Sequence, residues 1–382
     1  MAVWRADLTL RLEDDVVIVT RDNQDPTFFH APNYENHVAG VSGPLLEAMN
    51  VALDGKANDK ERQRAEREVR RLGLELFEGV FGVADGSGNR LEDTLRSILE
   101  MQGGHPPTIG IEGQWYLLPW ELMRVPTEVS LRAQEAYLGE LSIVAGLVGP
   151  QRLGLTMDYE IEDKLQLVSI VGDQLKFVSD EIGHINQLNG PNLHPIRLVR
   201  GLRGGRSVER RSQNCEIIGQ LLRGPVPANF LHGAFHSSTP AAGDAFEIHI
   251  EKRATLTSND CRQFRLRVDE PNIAFFNSCQ GISMNRWRAG GLALHAVTRW
   301  NSEVVVTSLC KIDDEQAAAF SQRFLDRILP VNGTIAEPIG LALYHERCRT
   351  LTEQGPTKLL GLSYRLLGCP ARRFSMPNEM AA

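Results

Sequence analysis

Two stretches decide the reading of this chain: NFLHGAFHSS (229–238) and IAFFNSCQG (273–281). Each is an apolar run that ends on a reactive side chain, His236 in the first and Cys279 in the second. Runs without polar alternation are what strands covered on both faces look like. Side by side in a parallel sheet, they would deliver His236 and Cys279 together at its C-terminal edge. That edge is where open α/β sheets place their ligands.

The surrounding chain predicts such a sheet. LQLVSIVGD (165–173), HPIRLVRGL (194–202), SEVVVTSL (302–309) and LGLSYRLLG (360–368) read as further strands. Between them lie helical patterns: Val178, Ile182, Ile185 and Leu188 on one face, SVERRSQNCEIIGQLLR (207–223) with Ser207 as N-cap, and segments around 286–299, 314–329 and 334–353. Strand–helix alternation is the signature of βαβ units with helices on both faces of the sheet. A long insertion (238–272) separates the His run from the Cys run.

The first 150 residues have a different rhythm. Residues 3–20 predict two β-rich stretches, 34–58 a mixed, partly helical segment, and 59–81 and 91–100 helices. TIGIE (108–112) predicts a strand, and QWYLLPWELM (114–123) an apolar hairpin arm. From GPQRLG (149–154) to about Lys164 runs the best linker. No fixed-period repeat is present.

Bulk properties narrow the function classes. The chain has 382 residues, 42% hydrophobic and 23% charged, which is ordinary for a soluble globular protein. A net charge of −7 argues against a dedicated nucleic-acid binder. ERQRAEREVRR (61–71) mixes its signs and reads as a solvated helix face. The six cysteines form neither C-x-x-C nor a zinc spacing, so no metal or cofactor is expected and a reducing cytoplasm is. No signal peptide and no transmembrane helix are expected. GLRGGRS (201–207) lacks the G-K-[ST] ending of a phosphate loop.

His236 and Cys279 together supply a chemistry. A free thiol is only a few per cent thiolate at neutral pH. An imidazole beside it takes its proton and later protonates a leaving amine. The tetrahedral oxyanion needs backbone N–H donors, and the amides of Ser237 and Cys279 are the candidates. His232 competes for the role of base, but it lies four residues earlier, mid-strand and below the rim.

These residues resemble a known family. FLHGAFHS is similar to apolar-His-x-x-x-His-Gly, and FFNSCQG to apolar-x-Ser-Cys-x-Ser/Gly, of the CHAT domain, a caspase-like branch of the clan that holds separase, gingipain and caspases. LLPWELM (117–123), ATLTSNDCRQFRL (254–266) and VVVTSLCKIDDEQAAAF (304–320) are similar to its flanking motifs. Ser237 stands where the family has Gly, and Cys310 where it has Trp.

The resemblance implies a caspase-like, mostly parallel sheet sandwiched by helices over 160–375. A smaller N-terminal α+β pseudo-protease or regulatory region would occupy 1–150. It implies a cysteine endopeptidase with a His236–Cys279 dyad in bacterial signalling or antiviral defence, switched on by an activating protein or an upstream protease. Its partner is a protein substrate, with no nucleic acid and no membrane. By the same resemblance Asp314, and second Asp313, in KIDDE (311–315) would read a basic P1 side chain through a bidentate carboxylate–guanidinium pair. Either aspartate could equally be a helix N-cap. A basic P1 would make Arg203 or Arg206 a self-cleavage site. Two other readings stand beside this one: a non-catalytic CHAT scaffold that binds a partner protein, and a different α/β hydrolase using Cys279 on a small substrate.

Overall fold

A computed structural model describes residues 5–13, 15–21, 24–31, 34–101, 105–113, 118–148, 157–161, 164–188, 192–199, 202–204, 207–238, 246–250, 254–268, 270–278, 291–330 and 335–375. The chain divides into two compact units. One comprises Val3–Val148 and Leu343–Arg365; the other comprises Met1–Ala2, Gly149–Ala342 and Leu366–Ala382.

In the first unit, strands β1 (Leu8–Glu13), β2 (Val16–Arg21), β3 (Thr27–His30), β4 (Thr108–Glu112) and β5 (Ile143–Leu147) lie in the order β5-β4-β1-β2-β3. The β5-β4-β1 pairings are parallel and the other two antiparallel. Helix α1 (Tyr34–Ala52) occupies most of the segment read as mixed. Pro44, Gly40 and Gly43 weaken its local signal, and packing against α2 (Asp59–Phe81) overrides them. Asn58 caps α2 through a capping box with Glu61, and Leu72, Leu76, Phe77 and Val80 face the core.

The LPWELM motif is not a hairpin arm. Trp120–Leu122 form a 3-10 turn, with Trp120 fully buried edge-on to Phe81. A Cβ at Gly73 of α2 would lie 2.4 Å from the Leu122 carbonyl oxygen, so only glycine allows this approach. Glu121 is buried and accepts a hydrogen bond from Arg347 at 3.1 Å.

The second unit is built on a parallel sheet. Its strands are β6 (Leu167–Val171), β7 (Arg197–Leu198), β8 (Phe230–Ser238), β11 (Asn272–Ser278) and β12 (Ser302–Ser308), in the order β7-β6-β8-β11-β12. All four pairings are parallel. β11 and β12 are buried at every position, as their apolar runs require. β7 is a two-residue edge of the longer strand expected at 194–202; Pro195, which has no N–H to donate, precedes it. The 238–272 insertion carries β9 (Glu247–His249), β10 (Thr255–Thr257) and α6 (Ser258–Gln263).

Helices cover both faces. α4 (Val178–Gln187) and α8 (Asp314–Ile328) pack together on the face of β8 that bears His232. α7 (Gly291–Arg299) packs against β12, and Trp300, just beyond it, meets Phe276 edge-on. α5 (Val208–Arg223) starts at Ser207, whose side chain accepts from the Arg210 amide as its sequence predicts. In 360–368, Leu360–Ser363 are a helical turn, followed by strand β13 (Tyr364–Gly368). A Cβ at Gly368, φ +102°, would collide with the Glu303 carbonyl oxygen of β12 at 2.0 Å.

Candidate active site

The His strand and the Cys strand are direct neighbours. Their ladder runs without a slip from Phe230↔Ile273 to Phe235↔Ser278. One residue further along, β8 exchanges this parallel partner for an antiparallel one: His236 pairs with His249, and Ser237 with Ile248. Gly172, just past β6, donates its amide to Ala234 at 2.7 Å. A Cβ at Gly172 would sit 2.9 Å from the His249 carbonyl oxygen, so glycine is what lets β9 approach at this rim.

His236 is half-buried, and its side chain has no hydrogen bond among the described residues. Ser237 beside it is buried. Cys279, and Gly281 after it, lie outside the described residues.

His232 has a different environment. It is fully buried, with Nδ1 2.7 Å from Ser169 Oγ and Nε2 2.8 Å from Glu181 Oε1. Glu181 also accepts from Asn277 Nδ2 at 3.2 Å and from the Ser321 hydroxyl. Asn277 further donates to the Ala317 carbonyl at 3.0 Å. One carboxylate thus joins β8, β11, α4 and α8 beneath the rim. Both ring nitrogens of His232 are engaged, so this imidazole is held rather than available. The glycine after it is explained by packing: a Cβ at Gly233 would lie 2.5 Å from the Phe235 ring and 2.8 Å from Phe276.

Sequence reasoning missed this network. The apolar spacing predicts Ile182 on the buried stripe of α4, whereas the stripe is Glu181, Ile185 and Leu188. The available signal was a polar residue at an apolar position: Glu181 in register with Ile185, and Asn277 inside IAFFNS.

Asp313 is exposed and caps α8, accepting from the Glu315 amide at 3.1 Å. Asp314 is half-buried in the first turn and accepts a long bond, 3.5 Å, from the Lys176 amide. The backbone of Arg203 is clamped in both directions by the Asn214 side chain, at 2.9 and 3.0 Å, while Arg206 lies outside the described residues. Among the described residues, no group of three His, Cys, Asp or Glu side chains is arranged to hold a metal ion. No helix among them is long and apolar enough to cross a membrane.

No protein-family model matches this chain, and no curated protein matches it in sequence. Solved structures do. Two structures of the Saccharomyces cerevisiae separase–securin complex superpose with TM-scores of 0.53 and 0.54 at 8% and 9% identity. Each match covers 97% of this chain and 30% of the other, so the chain spans about a third of the protein it matches. The complex of the pro- and mature domains of Porphyromonas gingivalis RgpB gives a TM-score of 0.47 at 9% identity, over 88% of this chain and 77% of that one. At such identities the likeness is one of fold. The parallel sheet flanked by helices and the separase superposition together assign the chain a caspase-like α/β fold.

Proposed function

We propose that this chain is a cysteine endopeptidase of CHAT type, with Cys279 as nucleophile and His236 as general base. The observation that carries this reading is the ladder. Phe235 pairs with Ser278, and the residues that follow these two in the sequence are His236 and Cys279. The exclusion of His232, whose nitrogens are both bonded, supports His236 as the base.

In the proposed reaction, His236 accepts the thiol proton and the thiolate attacks the scissile carbonyl. The amides of Ser237 and Cys279 stabilise the oxyanion. The imidazolium then gives its proton to the departing amine as the C–N bond breaks. Water, deprotonated by the same imidazole, hydrolyses the thioester and restores the thiol.

Cleavage follows Arg or Lys, read by Asp314. Asp313 is the weaker reader because its side chain caps α8. The substrate is a protein cut in a cytoplasmic bacterial signalling or antiviral-defence pathway. Residues 1–150 form a regulatory region beside a protease domain at 160–375, and a partner protein or an upstream protease switches the enzyme on. The securin complex of the separase it resembles supports control by a bound protein.

The test is incubation of wild-type and Cys279→Ala protein with a protein library, followed by mapping of new N-termini. Termini after Arg or Lys, absent with Cys279→Ala, are expected. Cleavage after Asp would overturn the specificity. A Cys279→Ala protein that retains the full biological effect would favour a scaffold.

A further inference from the structure

A second feature of the unit that carries β8 and β11 lies where α6 meets α7. α6 and the residues after it, together with α7, enclose a cavity of about 160 Å³. Four arginines line it: Arg262, Arg265, Arg267 and Arg299. Among the described residues, no carboxylate does. Among the described residues, Arg265, Arg267 and Arg299 form no ion pair, and the Arg262 side chain bonds only to the Asn259 amide oxygen. Arg265 sits at φ +52°, a left-handed backbone in which a non-glycine residue is uncommon.

His295 of α7 also lines the cavity. Its ring is wedged edge-on against Phe246 and Trp300, and its Nε2 is buried without a hydrogen-bond partner among the described residues. Burial first, then Arg299 and Arg262, push its pKa down to about 4. The imidazole is therefore neutral at physiological pH, and the arginines alone set the charge.

The cavity of about 370 Å³ in the other unit is a useful contrast. It too is lined by arginines, but Arg132 is paired with Glu140 at 2.5 Å and Arg124 with Glu135 at 3.4 Å. There two of the four lining cations are paired with carboxylates of the same cavity.

We propose that the arginine-lined cavity between α6 and α7 is an anion site for one or two phosphoryl groups. Guanidinium forks bind phosphate oxygens in bidentate fashion. The volume is about half the lower limit for drug-sized ligands, about 300 Å³. It suits a phosphate or pyrophosphate better than a whole nucleotide base. An occupant would tie the α6 segment to α7, the first described element after Cys279 along the chain.

Pyrophosphate titrated into the full chain at low ionic strength, followed by calorimetry, tests this without reference to proteolysis. Saturable binding is expected. Arg267→Gln combined with Arg299→Gln should weaken it about tenfold or more. Arg299→Lys, which keeps the charge and loses the fork, should weaken it less. Arg132→Gln in the other cavity should leave it unchanged. These arginines are exposed, so far-UV circular dichroism should match wild type. Absence of saturable binding at roughly millimolar pyrophosphate, equal affinity in the double variant, or loss in Arg132→Gln would each overturn the proposal. So would an acidic peptide that binds the cavity without being displaced by pyrophosphate.

Discussion

His232 and His236 stand four residues apart on one strand and project from the same face, yet their surroundings differ completely. His232 is fully buried, with a serine on one nitrogen and a carboxylate on the other. His236 is half-buried, with no side-chain hydrogen bond among the described residues, at the point where β8 leaves its parallel neighbours. Position along a strand, not residue type, separates the two environments. Deep in a parallel sheet an imidazole must be satisfied on both sides, because an unpaired buried polar group is costly. At the rim, half-exposed, it escapes that cost. The lower histidine is held by the architecture, and the upper one carries the proposed chemistry.

Breaking the comparison at its upper end should give the largest effect. His236→Ala should lower kcat/KM for a cleaved peptide by about 10³-fold or more. The same variant should leave the urea-unfolding free energy within about 0.5 kcal/mol. At the lower end, His232→Ala strips Glu181 of a partner in a buried network. It should destabilise the protein by about 3–5 kcal/mol in urea unfolding. If the two variants instead exchanged these signatures, the assignment of roles would be reversed.

A third imidazole sharpens the contrast. His295 is pushed down to about 4, first by burial and then by Arg299 and Arg262. Its folded pKa lies below the unfolded value of about 6.5, so between these values the unfolded chain binds a proton that the folded chain does not. Stability from this site is complete above pH 6.5 and is lost as pH falls toward 4, by roughly 3 kcal/mol in all. Denaturant melts across that window should show the slope, and His295→Phe should remove it. The smallest effect separates the two aspartates at α8. Asp313→Ala should cost about 1 kcal/mol, the loss of an N-cap, with cleavage specificity unchanged. Asp314→Ala should erase the preference for basic P1 residues in a peptide panel with little change in stability.

The sheet was legible in the sequence because burial on both faces leaves a continuous apolar run, as in IAFFNS and SEVVVTS. The adjacency of the His and Cys runs followed from strand–helix alternation. The helix at 59–81 was legible because its apolar residues recur at helical spacing behind a charged first half. What sequence reasoning missed are pairings between residues far apart in the chain. Glu181 meets His232 across 51 residues and Ser321 across 140. Arg347 meets Glu121 across 226. Neither leaves a local pattern beyond a polar residue in an apolar stripe. α1 was hidden because Pro44 and two glycines lower its propensity while tertiary packing holds it. The role of LPWELM as a buried anchor was equally invisible, since it depends on Gly73 and Arg347.

The dyad can be tested most directly on the thiols themselves, without a substrate or an activator. Burial protects the cysteines with which Cys279 would be compared. It pushes Cys215 up to about 12 and Cys369 up to about 11, raises Cys348, and encloses Cys261 and Cys310. Iodoacetamide alkylation of the native protein, resolved by cysteine with mass spectrometry across pH, measures each thiolate separately. With the proposed dyad, Cys279 should react far faster than the other five near pH 6 to 7, and His236→Ala should abolish this advantage. Equal reactivity of Cys279 in wild type and His236→Ala would contradict it.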